Sequence, residues 1–314
     1  VPLPQNNKNN TILSWEKISK SYGEIEALKD FSGSMQKGIT GLLGPNGAGK
    51  TTFLKILISL LQADSGEIFL GGNKINSKNP FHLTQIGYMP EYTAHIPGHT
   101  PVTYLTFLCE LQGMSRKEAL FRSHEVLFYI GMGEERYRNM EELSYGQLQR
   151  VMLCQALAHD PEILLLDEPT TGLDPEGRKE FLALMKELAS EYDKTILFSS
   201  HILEDVEEIC ENILLLHKGQ LLFSGPINEF QKGKENLYAF QFWEENPAFL
   251  DFLQSAEISY TQNERGEWIV QLDSHEKLEN LLEGVRKTNT ILKSLTPYQR
   301  PLEEVFMEFL KSPA

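Results

Sequence analysis

Apolar and polar residues follow two different rhythms near the start of the chain. From Thr11 to Gln36 they alternate, broken by a Gly23-Glu24 turn, which predicts antiparallel strands with one buried face. Ile39-Thr40-Gly41-Leu42-Leu43 is instead mostly apolar, the pattern of a strand covered on both sides in a parallel sheet. Phe53 to Leu61 suits a helix packed on that sheet, and Glu67 to Asn73 a short strand and turn. From about Pro97 to Glu142 the pattern turns helical. Thr100-Pro101 gives one helix start in cap-then-Pro order, and Ser115 with Glu118 gives a capping box for the next. Buried-strand patterns return at Ile163–Leu166 and Thr195–Ser200, and Ile213 to Gly225 reads as a β-hairpin.

The composition shifts to polar around Gln231–Glu235, which predicts a linker. Beyond it the pattern reads strand (Leu237–Trp243), helix (Pro247–Ser255), strand (Ile258–Gln262), strand (Glu267–Leu272), helix (Glu276–Lys287) and strand (Ile291–Pro297). That order, β-α-β-β-α-β, is the ferredoxin-like arrangement, and an amphipathic helix from Pro301 to Leu310 follows it. The expected organisation is a flexible leader over residues 1–10, an α/β domain over 11–230 with a helical insert at about 97–150, and a small α+β domain over 236–314. The leader lacks an initiating Met and takes no part in the fold argument.

Within this frame one segment carries chemistry. Gly44 to Thr51 reads Gly-Pro-Asn-Gly-Ala-Gly-Lys-Thr, the G-x-x-x-x-G-K-[ST] cradle for nucleoside triphosphates, placed between a strand and a helix as such a cradle requires. Gly44, Gly47 and Gly49 let the backbone turn tightly, so that N–H groups around Asn46 and Ala48 face phosphate oxygens. The following helix adds its positive dipole end. Lys50 reaches the β- and γ-phosphates, the Thr51 hydroxyl is placed for Mg²⁺, and Thr52 donates a further hydrogen bond. Ile163 to Leu166 ends in Asp167-Glu168. Asp167 can orient the shell of Mg²⁺, and Glu168 can polarise an attacking water as general base.

Composition narrows the partners. The 314 residues are 41% hydrophobic and 23% charged, ordinary for a globular protein. No apolar run approaches bilayer-spanning length, so any membrane work passes through a partner. Forty-four acidic against 29 basic residues leave a net charge of −15, which argues against a nucleic-acid surface. Cys109, Cys154 and Cys210 have no metal-ligand spacing and read as buried apolar residues in a reducing cytosol.

Leu143-Ser144-Tyr145-Gly146-Gln147 precedes a helical stretch and lies upstream of Asp167. Taken with Gly44–Thr52, it resembles the Leu-Ser-Gly-Gly-Gln signature of ATP-binding cassette (ABC) proteins, with Tyr145 where the first Gly would stand. Ser144 supplies a hydroxyl and Gly146 a bare N–H at a helix start, a second anion site. The resemblance implies that Ser144, Gly146 and Gln147 face the γ-phosphate held by another subunit's cradle, and that Asp174 crosses the same interface. It implies that Tyr22 stacks on adenine, where an aromatic face offers about 1–3 kcal/mol to a base. It places His201 on the γ-phosphate and attacking water, and Glu91, where most cassettes carry Gln, on Mg²⁺.

The expected fold is therefore the ABC-type P-loop NTPase, with an antiparallel β subdomain and a helical insert. The expected activity is Mg²⁺-dependent ATP hydrolysis by a homodimer, or by a pair with a paralogous cassette. A separate transmembrane permease is implied, docked through the helical insert at the inner, cytoplasmic face of the membrane. The tail resembles that of multidrug- and antibiotic-type exporters. Two other readings stay open on the sequence: a soluble cassette acting on ribosomes or DNA, and an ATP-binding regulator without turnover, suggested by Tyr145 and Glu91. The cargo is not legible.

Overall fold

The computed structural model describes residues 11–75, 80–92, 96–232, 237–263, 266–272, 274–298 and 300–311. The expected leader, and the linker beyond Lys232, lie outside the described residues. The chain forms two units, Val1–Gly225 and Pro226–Ala314. The boundary falls earlier than the pattern suggested, because the helix Ile227–Lys232 belongs to the second unit, where Phe230 stacks on Phe309.

In the first unit, β1 (Thr11–Tyr22) pairs antiparallel with β2 (Ile25–Gln36) around the expected turn, where Gly23 has φ +61°. After β3 (Ile39–Leu43) and α1 (Lys50–Leu57) come β4 (Ser65–Leu70) and β5 (Asn73–Lys74). These complete a four-stranded sheet in the order β2-β1-β4-β5. Its alternation sends Leu13, Trp15, Ile18, Leu28 and Phe31 inward. Phe53 of α1 meets the Trp15 and Phe31 rings, each at 4.7 Å between centroids, so the cradle helix is clamped to this sheet by three aromatic rings. Helix α1 stops at Leu57, short of the apolar run that continues to Leu61. Ser59 turns left-handed at φ +56°, and the amides of Leu60 and Leu61 return to the Lys55 carbonyl.

Next come β6 (Ile86–Met89) and the helical insert of α2 (Pro101–Leu111), α3 (Arg116–Tyr129) and α4 (Tyr145–Leu157). Thr100 and Ser115 cap α2 and α3 through capping boxes. The chain continues through β7 (Ile163–Asp167), α5 (Pro175–Ser190), β8 (Thr195–Ser200), α6 (Leu203–Ile209), β9 (Asn212–His217) and β10 (Gln220–Pro226). Lys218 and Gly219, both at positive φ, turn β9 into β10. The second sheet runs β10-β9-β3-β8-β7-β6, and every residue of β3, β7 and β8 is buried, as a parallel sheet covered on two faces requires. Strands β9, β3, β8, β7 and β6 are parallel neighbours, so their carboxyl ends share one edge. In open α/β sheets that edge is where ligands bind.

The second unit holds α7 (Ile227–Lys232), β11 (Leu237–Phe242), α8 (Pro247–Ser255), β12 (Tyr260–Gln262), β13 (Trp268–Gln271), α9 (His275–Lys287), β14 (Leu292–Pro297) and α10 (Leu302–Lys311). Its strands lie in the order β12-β13-β11-β14, all adjacent pairs antiparallel. Together with the element order this is the ferredoxin-like topology. Its own core gathers Phe240, Phe249, Leu253, Val270 and Leu281.

Candidate nucleotide site

The loop after β3 forms a concave turn that only glycine can make at two points. A Cβ on Gly44 would fall 2.3 Å from the Leu216 carbonyl oxygen. One on Gly49, which also has φ +111°, would fall 2.4 Å from the Ala27 carbonyl oxygen. The loop is thus held against β9 on one side and β2 on the other. Gly49 passes directly into α1, which begins at Lys50.

Lys50 is buried, and its ammonium donates to the Gly44 carbonyl at 2.7 Å. It also lies 3.3 Å from Glu168 Oε1. Glu168 is only 7% exposed and holds a left-handed φ of +51°. The other carboxylate oxygen, Oε2, is 2.7 Å from His201 Nδ1 and accepts from the Thr171 hydroxyl at 3.1 Å. One carboxylate therefore joins residues following β3, β7 and β8. Its backbone is fixed by Ser199, whose hydroxyl accepts from the Glu168 amide at 2.9 Å and donates to Asp167 Oδ1 at 2.6 Å.

Beneath this layer, Asp205 of α6 is fully buried. It accepts from the Thr170 hydroxyl at 2.5 Å and from Arg178 Nε of α5. The loop carrying Glu168 and the loop carrying His201 are consequently tied twice, once at the surface of the cleft and once below it.

Asp167 is 1% exposed, and its Oδ2 has no hydrogen-bond partner among the described residues. Tyr88 of β6 stands beside Asp167 and interacts with its carboxylate. Burial, then the Asp167 and Glu91 carboxylates, hold the Tyr88 phenol well above its ordinary range, so it stays protonated. A buried carboxylate oxygen without a partner suits a hard divalent cation. Among the described residues no three His, Cys, Asp or Glu side chains cluster as a metal cage. Mg²⁺ takes one or two protein oxygens and completes its shell with phosphates and water, so the free Asp167 oxygen is a donor it could use.

A cleft of about 590 Å³ collects most of the residues expected to bind ATP within one chain. Tyr22, Asn46 to Thr52, Glu91, Glu168 and His201 all line it. Gly44 sits behind the wall, where its carbonyl accepts a hydrogen bond from the Lys50 ammonium, and Asp167 lies beneath. Ile25, Ala27, Tyr92 and Thr171 also line the cleft and were not singled out from the sequence. Nor was Ser199, although the small polar end of its strand was visible.

The residues expected to act across a dimer gather elsewhere. Ser144, Gly146, Gln147 and Asp174 line a second cleft of about 570 Å³. Within the single chain they work as helix caps. The Ser144 hydroxyl accepts from the Gln147 amide at 3.3 Å, and Gln147 Oε1 accepts from the Ser144 amide at 3.0 Å. Asp174 Oδ1 accepts from the Gly177 amide at 2.8 Å at the start of α5, with Pro175 next.

Comparison with known proteins fits this geometry. The sequence profile described as "ABC transporter" matches residues 28–171. An uncharacterized ABC transporter ATP-binding protein of Bacillus subtilis is 36% identical, covering 76% of this chain and 80% of its own. The chain belongs to the ABC transporter family, as an ATP-binding protein. A bacitracin transport ATP-binding protein of Bacillus licheniformis is 31% identical over 96% of this chain and 97% of its own length. Among solved structures, a dimeric ATP-binding cassette in a post-hydrolysis state with ADP and phosphate is 26% identical, with a TM-score of 0.63. It covers 69% of this chain and 99% of that one. The cassette described here is accordingly an ATPase. Among its described residues no helix is long and apolar enough to cross a membrane.

Proposed function

We propose that this cassette powers export through a separate membrane-spanning subunit, and that two copies enclose two ATP molecules between them. The observation that carries the reading is Glu168. Its carboxylate is buried, fixed by Thr171, His201 and Lys50, and placed on the wall of the cleft that the cradle opens into. A carboxylate so held can take a proton from an attacking water, while His201 steadies the transferred group. Lys50 and the cradle amides hold the phosphates, and Tyr22, half-exposed at the cleft edge, offers its ring to adenine. Mg²⁺, held by Thr51 and Asp167 with Glu91 nearby, would neutralise charge on the phosphates.

The first cleft holds a triphosphate from one side only. The second presents Ser144, Gly146 and Asp174, and a facing copy would bring these groups to the γ-phosphate. A homodimer is the simplest arrangement, and a paralogous cassette serves equally. The net charge of −15 on each copy makes approach unfavourable at low salt, so nucleotide acts as the bridge.

Export is supported by relatives named for bacitracin transport and linearmycin resistance, and work at the inner face of the membrane follows from the need to reach cytoplasmic ATP. The acidic balance speaks against a ribosome- or DNA-bound role. The deciding experiment is Glu168→Gln. It should retain ATP, form a stable dimer on sedimentation and lose steady-state phosphate release by about 10²–10⁴-fold. Undiminished hydrolysis would remove Glu168 from the role of base.

A further inference from the structure

The signature departs from Leu-Ser-Gly-Gly-Gln at one residue, and that residue is wedged between two others. Tyr145 is 42% exposed and stands on the wall of the second cleft. An ideal Cβ on Gly172 would fall 2.9 Å from Tyr145 Cε1, so the ring fills the space any side chain at 172 would need. Gly172 has φ +81°, a left-handed conformation that already favours glycine. At the far end of the ring the Tyr145 hydroxyl accepts from Gln149 Nε2 at 2.7 Å. Gln149 is fully buried one turn further along α4, and its Oε1 has no partner among the described residues. The Tyr145 hydroxyl thus anchors the buried amide, and the buried amide fixes the ring.

We propose that Tyr145 is a positioning residue that braces the signature turn against the loop running from Thr170 to Asp174. Ser144 and Gly146 sit on one side of the brace and Asp174 on the other, and all three line the same cleft. Braced, they meet a facing nucleotide as one surface. Unbraced, each must be ordered separately when two copies close, and that ordering weakens association. The inference rests on the two-copy reading above. A ring that merely filled space would affect folding stability and leave association alone.

The test uses the full chain carrying Glu168→Gln, with ATP, and sedimentation velocity to find the protein concentration of half-association. Tyr145→Gly should raise that concentration about 10-fold and Tyr145→Phe about 3-fold, the latter by removing only the bond to Gln149. ATP affinity of the single chain, measured with a fluorescent analogue, should stay within about 2-fold, because the first cleft is untouched. Gly172→Ala supplies the second arm, through urea unfolding of the single chain. Its cost should be about 5-fold or more greater in the unfolding constant when Tyr145 is intact than alongside Tyr145→Gly.

Equal association by all three forms overturns the proposal. So does a Gly172→Ala cost that is the same, within about 2-fold, in both backgrounds. If the Glu168→Gln parent itself stays monomeric with ATP, it is the two-copy reading that fails, and the unfolding arm still decides whether the brace exists.

Discussion

The two clefts are of nearly equal size, about 590 and 570 Å³, yet they are built on opposite principles. At the first, Lys50 and Glu168 are buried and paired, Glu168 also meets His201, and Ser199 ties the Glu168 amide to the buried Asp167 beneath. In the second, Ser144 and Asp174 are exposed, and their polar atoms do no more than cap helices. A site that must position a water and a transferred phosphate needs groups that cannot wander, and burial among partners supplies that rigidity. A site that must leave and return with a partner can keep its groups at helix starts, where a cap holds them in place without burying them. On the two-copy reading proposed above, one face carries the groups that act on the phosphates and the other carries groups offered to a facing copy.

The largest test of this division is Lys50→Ala. It removes the cation of the phosphates and leaves Glu168 buried without it. Steady-state phosphate release should fall about 10³-fold or more, with ATP affinity falling too. Next comes Phe53→Ala, which breaks the aromatic clamp between the cradle helix and the antiparallel sheet. It should cost about 3–5 kcal/mol in urea unfolding. A cost near zero would mean that α1 is held by the parallel sheet alone.

Ser144→Ala attacks the second cleft. It should lose about 1 kcal/mol of stability as a missing cap and slow turnover about 10- to 100-fold. ATP affinity of the single chain should change less than about 2-fold. Should affinity drop in step with turnover, the two clefts are not independent and the comparison breaks. Thr171→Val sharpens it from the other side. Losing one hydrogen bond to Glu168 should slow phosphate release about 3- to 10-fold and leave ATP-driven association intact.

The smallest expected effect is a pH dependence remote from both clefts. Burial holds the His159 imidazole below its ordinary value of 6.5, partly offset by its bond to the Ile86 carbonyl. On acidification through that value the unfolded chain takes up a proton that the folded chain resists. Stability should therefore decline as pH drops from 7, and flatten once the folded imidazole is also charged. His159→Asn should abolish up to one proton of that slope in urea unfolding measured from pH 7.5 to 5.5. Phosphate-release assays of the variant at neutral pH should match those of the parent.

Contiguous segments were legible in the sequence, and residues that meet only across strands were not. Gly44 to Thr52 could be read because all its work is done by backbone amides and side chains within one turn. Ser144 with Gln147, and Asp174 with Pro175, could be read because a helix cap is a local event. The ferredoxin-like order of the second unit followed from six short patterns, each with its own periodicity. Ser199 is different. It matters because β8 lies between β3 and β7, which puts its hydroxyl against Asp167 and the Glu168 amide. Asp205 and the Tyr145–Gly172 contact escaped for a similar reason, since both join residues far apart in the chain.

The amino-acid order by itself therefore settled which segments turn, cap and cradle, since those choices are made by torsion preferences and hydrogen bonds within a few residues. It also placed the chain in its family, through two short motifs. Only the tertiary structure decided which separate pieces share a wall. It set Lys50 and His201 around the Glu168 carboxylate, and it gathered Ser144 and Asp174 at a different cleft. The physical reason lies in the parallel sheet, whose strand order 10-9-3-8-7-6 is not the order of the chain. Proximity at its carboxyl edge is fixed by long-range pairing, which local patterns do not encode.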